Sequence, residues 1–311
     1  CLRVHKVRMI APQARPTAQG NQRMTYISTQ RQVDSYSLSF TAMHACHLDA
    51  LHRLSACVGW PHRRSDWATN LETGVGIVAV DEMQRVHGSA MCFPYGDGAA
   101  AVGMVIANPK LRSSGLADML AREAVERSGS PRAFLNACQG DVLFYRGLGA
   151  KRGEQVFKYE GVLKVNLVAF APIRDFAPED FLKVLELDQT SYDADRSAVL
   201  SGLLATSDIR VIERAGQVVG FAMRRRFGRG YVIGPITAEL GSDAVALATS
   251  LLADLKGQFV RIDTRHTDGV FQRFLGSLGL RCKPDVVTMT FGRSPRIGSP
   301  IGYALSSHST G

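Results

Sequence analysis

The sequence predicts a mixed α/β (α+β) fold made of one unit used twice, and three observations carry that reading. Short apolar strands alternate with amphipathic stretches along most of the 311 residues. A strand, a small-residue turn and a helix follow one another between residues 99 and 127. Three later segments also repeat earlier ones. Val218-Val219-Gly220 echoes Val86-His87-Gly88, and Gly234-Pro235 falls where Gly103-Met104 falls. Phe274-Leu275-Gly276-Ser277-Leu278-Gly279 echoes Phe144-Tyr145-Arg146-Gly147-Leu148-Gly149. The offsets are 132, 131 and 130 residues, a register expected of a duplication with small deletions.

Taken in order, residues 36–40 alternate as a strand, and residues 42–57 carry a helical stripe of Ala45, Leu48, Leu51 and Leu54. Trp60-Pro61 breaks that stripe, and a second helix runs over 65–71 with Ser65 as its N-cap. Strands at 76–81 and 86–93 are joined by Glu82-Met83-Gln84-Arg85. Gly96-Asp97-Gly98 then turns the chain into the apolar run 99–107. Pro109 stops that strand, and Leu116, Met119, Leu120 and Ala124 give the following stretch a helical period. A strand at 132–138, a short helix at 141–148 closed by Gly149, and a strand at 155–163 complete the first unit. The second unit starts at Val165. Its helices fall at 181–187 and 197–204 and its strands at 209–213, 218–223 and 234–238. A Gly-, Ser- and Pro-rich tail follows from 292, in which 301–305 reads as a last strand and the remainder as mobile.

Chemistry concentrates in the turn after the first unit's apolar strand, Asn108-Pro109-Lys110-Leu111-Arg112-Ser113-Ser114-Gly115-Leu116-Ala117. A small-residue turn that opens a helix aims several backbone N–H groups at one point, and the helix dipole adds to them. Gly115 and Ala117 admit a phosphate close to the backbone, and Arg112 supplies a charged contact. The turn suits a pyrophosphate.

The spacing Arg112-x-x-Gly115-x-Ala117 resembles the acetyl-coenzyme A (acetyl-CoA) signature of the GNAT N-acetyltransferases. The element order over residues 36–164 is similar to that fold, and Phe144-Tyr145-Arg146-Gly147-Leu148-Gly149 resembles its closing segment, with Ala150 where Phe is usual. The resemblance implies tandem GNAT folds, each a mixed, mostly antiparallel central sheet flanked by helices, as in bacterial two-domain members with a diverged C-terminal domain. It divides the chain into a tail at 1–35, a catalytic domain at 36–164, a diverged domain at 165–293 and a C-terminal tail at 294–311. It also implies cofactor contacts at Met104, Val105, Ile106, Arg112, Ser113, Ser114, Gly115, Leu116 and Ala117. Tyr145 would be the general acid, and Asn136 would bind cofactor or catalytic water. The second unit has Ser242-Asp243-Ala244-Val245-Ala246-Leu247 at the turn and Leu275 opposite Tyr145, so it should not bind acetyl-CoA in the usual way.

Composition bounds the partners. The chain is long enough for two ordinary cores, and its 45% hydrophobic content is that of a globular protein. No apolar run reaches the 18 residues of a membrane helix. The formal charge of +9 falls to +4 without residues 1–23, which carry five Lys and Arg, no acid, and precede a natural start at Met24. That balance implies no nucleic-acid surface, and it suits an anionic cofactor. Cys1, Cys46, Cys57, Cys92, Cys138 and Cys282 show no C-x-x-C and no zinc spacing, so no metal is expected and a reduced, cytoplasmic protein is.

On the acceptor side, Trp60, Arg63 and Trp67 sit at the helix–helix connection and either suit an acceptor bearing carboxylate or phosphate or are one core Trp beside a charged surface. Asp97, Glu72 and His62 lie on the segments that line the acceptor side in the resembling fold; each reads first as a capping or solvated group and only second as a general base. Asp188, Asp193, Asp195 and Arg196 read as helix capping and an ion pair, or as the far wall of an acceptor site. Arg224-Arg225-Arg226 reads as a solvated face. Asp263-Thr264-Arg265-His266 faces either a pocket or solvent. The expectation is an enzyme moving acetyl from acetyl-CoA to a primary amine of a small molecule, with a protein lysine or a non-catalytic acyl-CoA sensor as the alternatives.

Overall fold

The apolar runs of the sequence all enter one sheet. The computed structural model describes residues 29–169, 173–294, 299 and 301–311; the upstream reading of residues 1–23 and Cys1 lie outside them. In the first half the strands are β1 (Thr29–Val33), β2 (Tyr36–Ala42), β3 (Val75–Val80), β4 (Val86–Tyr95), β5 (Ala99–Ala107), β6 (Arg132–Cys138) and β7 (Lys151–Val162). The helices are α1 (Leu48–Cys57), α2 (Arg64–Thr73), α3 (Leu116–Ser128) and α4 (Val142–Gly147). The second half repeats the order as β8 (Ile173–Asp175), α5 (Phe181–Tyr192), α6 (Ser197–Leu204), β9 (Ser207–Arg214), β10 (Gln217–Phe227), β11 (Gly230–Ala238) and α7 (Gly241–Leu252). It ends with β12 (Phe259–Thr264), α8 (Gly269–Ser277), β13 (Arg281–Gly292) and β14 (Ile301–Ala304).

The first strand lies in residues read from sequence as tail: Thr29–Val33 pairs with β2 as a hairpin. The second helix also starts earlier than read. Its N-cap is Arg63, whose amide donates to the Asp66 carboxylate three residues on at 2.7 Å, so Ser65 is already inside the helix.

Strand order is β1-β2-β3-β4-β5-β6-β13-β7-β12-β11-β10-β9-β8, with β14 on β11. Each half therefore sends its closing strand into the other. β13 lies between β6 and β7, and β7 between β13 and β12, all antiparallel. Val287 and Met289 of β13 are buried in the first-half core with Leu116, Leu120 and Tyr145. Tyr159 of β7 is buried in the second-half core with Leu247 and Phe271. A third core lies between the halves, where Leu51 and Trp67 of α1 and α2 meet Val184, Leu187 and Leu200 of α5 and α6. Helices at the expected period supply all three layers.

In both halves the central parallel pair is short. β5 and β6 pair at Ala100–Ala133 and Ala101–Phe134 and then part. β11 and β12 pair at Tyr231–Val260 and Val232–Arg261 and then part. The tail read as mobile fills these openings. β14 runs antiparallel to β11, and the Leu305 amide donates to the Asp263 carbonyl of β12 at 2.9 Å, so the second opening is bridged by backbone. Beyond it Ser306, Ser309 and Thr310 are buried in the first opening.

Candidate active site

The site begins with a bulge. Between the pairs Ser89–Ile106 and Met91–Gly103, the single residue Ala90 faces both Met104 and Val105. Met104 has φ +54°, outside the strand region, and its carbonyl accepts from the Ser89 hydroxyl at 2.9 Å. A bulge leaves a residue without its ladder partner and bends the strand. Here it turns the backbone of residues 103–105 toward the opening between β5 and β6.

Downstream, the turn behaves as its residues require. Asn108 caps it, its side chain accepting from the Lys110 amide at 3.1 Å. Gly115 takes the left-handed conformation at φ +76° as N-cap of the 13-residue α3, and a β-carbon there would meet nothing within 4 Å. The first N–H groups of a helix have no intrahelical partner, which leaves the amides at the start of α3 without partners inside the helix. Ser113 is exposed and Ser114 half-buried, its hydroxyl donating to the Leu111 carbonyl at 2.7 Å. The side chain of Arg112 lies outside the described residues.

The opening itself is a cavity of about 330 Å³ walled by residues 102–105 of β5, residues 135–138 of β6, Tyr145 of α4, and Trp60 and His62 of the α1–α2 connection. Tyr145 is 7% exposed. Burial pushes its phenol above the ordinary tyrosine range, and the negative charges of Asp141 and Asp118 push it further. It is a neutral donor at physiological pH.

Sequence reasoning missed much of the far wall. Phe227, Arg261, Lys158, Lys283, Asp285 and His308 line the same cavity, and they arrive through the exchanged strands, β10, β12 and the tail. Asp285 lies 3.1 Å from Lys158, 3.4 Å from Lys283 and 3.7 Å from His308. Burial works against its charge, but His308 and Lys158 outweigh that and keep the carboxyl below its usual range. Asp263 is fully buried beside Arg261 at 2.8 Å and His308 at 3.4 Å, which hold it ionised against burial. A contact hundreds of residues apart along a swapped strand leaves no local signal.

The predicted residues divide. Met104, Val105, Asn136, Tyr145 and Trp60 meet in the cavity. The amide of Asn136 is occupied at both ends: Nδ2 donates to the His308 carbonyl at 2.9 Å and Oδ1 accepts from Thr288 at 2.8 Å. It ties β6, β13 and the tail together. Arg63 lines an adjoining cavity of about 240 Å³, shared with His62 and Phe227, and its guanidinium pairs with Asp66 at 2.8 Å. Trp67 does not reach either space. It is fully buried between the halves, its indole donating to Ser55 at 3.2 Å. Asp97 is exposed at the β4–β5 turn and Glu72 is exposed on α2, so neither faces the cavity.

His62 does face it. Its Nδ1 is buried without a hydrogen-bond partner, and its ring packs edge-on to Phe227 at 5.3 Å. Burial pushes its pKa down to about 4; Asp66 opposes this, while Arg261 and His308 add to it. It is neutral at pH 7.

Two charge clusters resolve differently. Arg196 and Asp188 form a buried pair at 2.7 Å, and Asp195 caps α6 through the Ser197 amide at 2.9 Å. Arg196 also holds the Thr310 and Gly311 carbonyls at 2.8 and 2.9 Å. Arg225, read as part of a solvated face, is instead buried and donates to the Ser306 carbonyl at 2.7 Å. Burial lowers its pKa to about 10. The alternation of a strand explains this: Arg224 and Arg226 point to one face of β10 and Arg225 to the other.

Among the described residues no helix is long and apolar enough to cross a membrane, and no group of three His, Cys, Asp or Glu is placed to hold a metal.

Comparisons with known proteins agree with this architecture. Residues 184–300 match the model of an acetyltransferase (GNAT) domain. The uncharacterized N-acetyltransferase YitH of Bacillus subtilis (strain 168) is 23% identical over 292 residues, 86% of this chain and 97% of the relative. Among solved structures, a Pyrococcus horikoshii protein assigned as an acetyltransferase superposes with a TM-score of 0.74 at 15% identity, covering 88% of this chain and 96% of that one. A tandem GNAT protein from the clavulanic acid biosynthesis pathway gives 0.62 at 15% identity, covering 83% and 99%. The family match falls on the second half, and the first half carries the bulge, the Gly115 turn and Tyr145. The chain is thus similar to the GNAT acetyltransferases and has the architecture of two GNAT folds in tandem.

Proposed function

We propose that the first half transfers acetyl from acetyl-CoA directly to a primary amine in a ternary complex. The observation that carries this reading is the single cavity joining Tyr145, the bulged backbone at Met104–Val105 and an acceptor side walled by the other half. The Gly115–Ala117 amides and Arg112 would take the pyrophosphate, and backbone at residues 104–106 the arm that follows it. The co-substrate supplies the acetyl thioester. The amine nitrogen bonds to the acetyl carbon, the carbon–sulfur bond breaks, the proton lost by the amine passes to water or a base, and Tyr145 gives its proton to the departing sulfur. Holding both reactants in one walled space supplies much of the rate.

The same walls favour a small amine over a protein lysine. Phe227, Arg261 and His308 wall the acceptor side, where a peptide would need an open groove. Asp285 offers a carboxylate to an ammonium group, and unpartnered His62 Nδ1 offers a neutral acceptor.

Calorimetric titration of acetyl-CoA into the wild type and an Arg112→Ala, Gly115→Glu double variant tests the cofactor assignment, followed by thiol-release assays on small amines and on lysine peptides. Tight binding lost in the variant, with turnover on small amines, supports the reading. Binding without turnover on either class favours an acyl-CoA sensor, and no binding by the wild type sinks the reading.

A further inference from the structure

The second half keeps an acceptor-side cavity although its cofactor path is closed. A space of about 180 Å³ lies where the duplication puts the counterpart of the first-half cavity. Arg265 and His266 at the end of β12 stand where Cys138 stands at the end of β6, and Thr288 of β13 and Glu154 of β7 stand opposite them. The opening through which an acyl arm would enter is bridged by β14, with Ile301 and Gly302 forming part of the cavity wall. A β-carbon on Gly234 would collide with the Leu305 carbonyl, so the bridging strand is closely seated. Acyl transfer there has no route for its donor.

What remains is a small cavity, walled largely by apolar surface such as Phe134 and Ile301, that also contains two arginines. Arg132 is 2% exposed, and two of its nitrogens bind Asp193, through Oδ2 at 2.8 Å and the carbonyl at 2.5 Å. Its Nε is buried with no hydrogen-bond partner, a donor that costs free energy until something accepts from it. Arg265 donates from Nε to the Thr288 hydroxyl at 3.1 Å, and its nearest carboxylate, Glu154, is 3.9 Å away and largely exposed. A pair that long and wet contributes little. Planar guanidinium groups match the oxygens of carboxylate and phosphate, and Ser191, whose hydroxyl donates to the Asp188 carbonyl at 3.0 Å, also lines the cavity.

We propose that this second cavity is a ligand site for a small oxyanion-bearing molecule, a carboxylate or a phosphate, held by Arg132 and Arg265. The site is separate from the transfer centre and depends on neither acetyl-CoA nor Tyr145.

The test is calorimetric titration of inorganic phosphate, and separately of acetate, into the full chain carrying Gly115→Glu, which blocks the phosphate turn of the first half. The same titrations follow in Gly115→Glu combined with Arg265→Gln or with Arg265→Lys. Saturable binding of either anion is expected, weakened at least 10-fold by Arg265→Gln and less by Arg265→Lys; the anion that binds identifies the headgroup. Circular dichroism confirms folding of each variant, and the Arg265→Lys arm decides if Arg265→Gln fails to fold. Equal binding in all three proteins, or no binding of either anion, overturns the proposal. Neither result bears on whether the first half transfers acetyl.

Discussion

Ser309 lies so close to Gly103 that a β-carbon added at residue 103 would stand 2.8 Å from the Ser309 β-carbon. Two residues 206 positions apart thus share one space, at the point where β5 leaves β6. The Ser309 hydroxyl also contacts the Met104 sulfur at 3.2 Å. Replacing Gly103 with Ala forces the tail off β5 or β5 off its bulge, since the clashing atoms are a β-carbon and backbone. Hydrogen exchange in residues 305–311 should rise by one to two orders of magnitude in Gly103→Ala, and turnover should fall with it. Unchanged exchange would show that the tail is not held by this contact.

Tyr145→Phe removes one oxygen from a packed ring and leaves the α4 backbone alone. General acid catalysis is worth about 10²–10⁴-fold, so kcat should fall by that order while acetyl-CoA affinity changes little. The raised pKa gives a second readout. Tyr145 keeps its proton to higher pH than an ordinary tyrosine of about 10, so wild-type kcat should show no alkaline loss attributable to it below about pH 10. A rate limb near pH 8 that disappears in Tyr145→Phe would contradict the assignment.

His62 makes stability depend on pH in a defined window. Its folded pKa of about 4 lies below the ordinary value of 6.5, so between them the unfolded chain binds the extra proton. This contribution is fully present above about pH 6.5 and is lost as pH falls toward 4. The wild type should lose about 1–3 kcal/mol more than His62→Gln between pH 7 and pH 4.5, measured by urea unfolding. Parallel pH curves for the two proteins would refute it.

How much of this was legible is clearest at Tyr145 and Asp285. Tyr145 sits on a short helix announced by its own sequence and closed by Gly149, and the turn at Gly115 is local chemistry; both were readable because their contacts lie within a few residues. The repeat was readable because the halves keep register. Asp285 and His308 carry no local mark, and they reach the cavity only because β13 pairs with β6 and the tail crosses both openings. Trp67 shows the reverse case. Its place at the helix–helix connection left a pocket wall and a core position both open, and burial against α5 and α6 made it core. Arg225 failed for a period-2 reason, as the middle of three arginines on a strand.

Arg196 is the clasp on the tail. It is 1% exposed, its ring partner Tyr192 lies 3.4 Å from the guanidinium, and Tyr95 donates to the same Thr310 carbonyl at 2.6 Å. Arg196→Met strands the Asp188 carboxylate without its partner, which costs about 3–5 kcal/mol. The thermal midpoint should drop accordingly, and residues 305–311 should become protease-sensitive. Asp188→Asn with Arg196→Met should recover part of the midpoint but none of the protection, since of this pair it is the arginine that holds the tail carbonyls.

The exchanged strands decide what evolution can do with the second half. Because β7 and β13 each complete the other half's sheet, no deletion removes one fold and leaves the other whole. The half without a phosphate turn cannot be shed as spare sequence, even where it does no chemistry of its own. Its residues are free to drift in function, yet β13 and the tail must still deliver Asp285 and His308 to the far wall. Selection on the cavity therefore acts on both copies at once, and a change in what it accepts can be written in either half of the sequence.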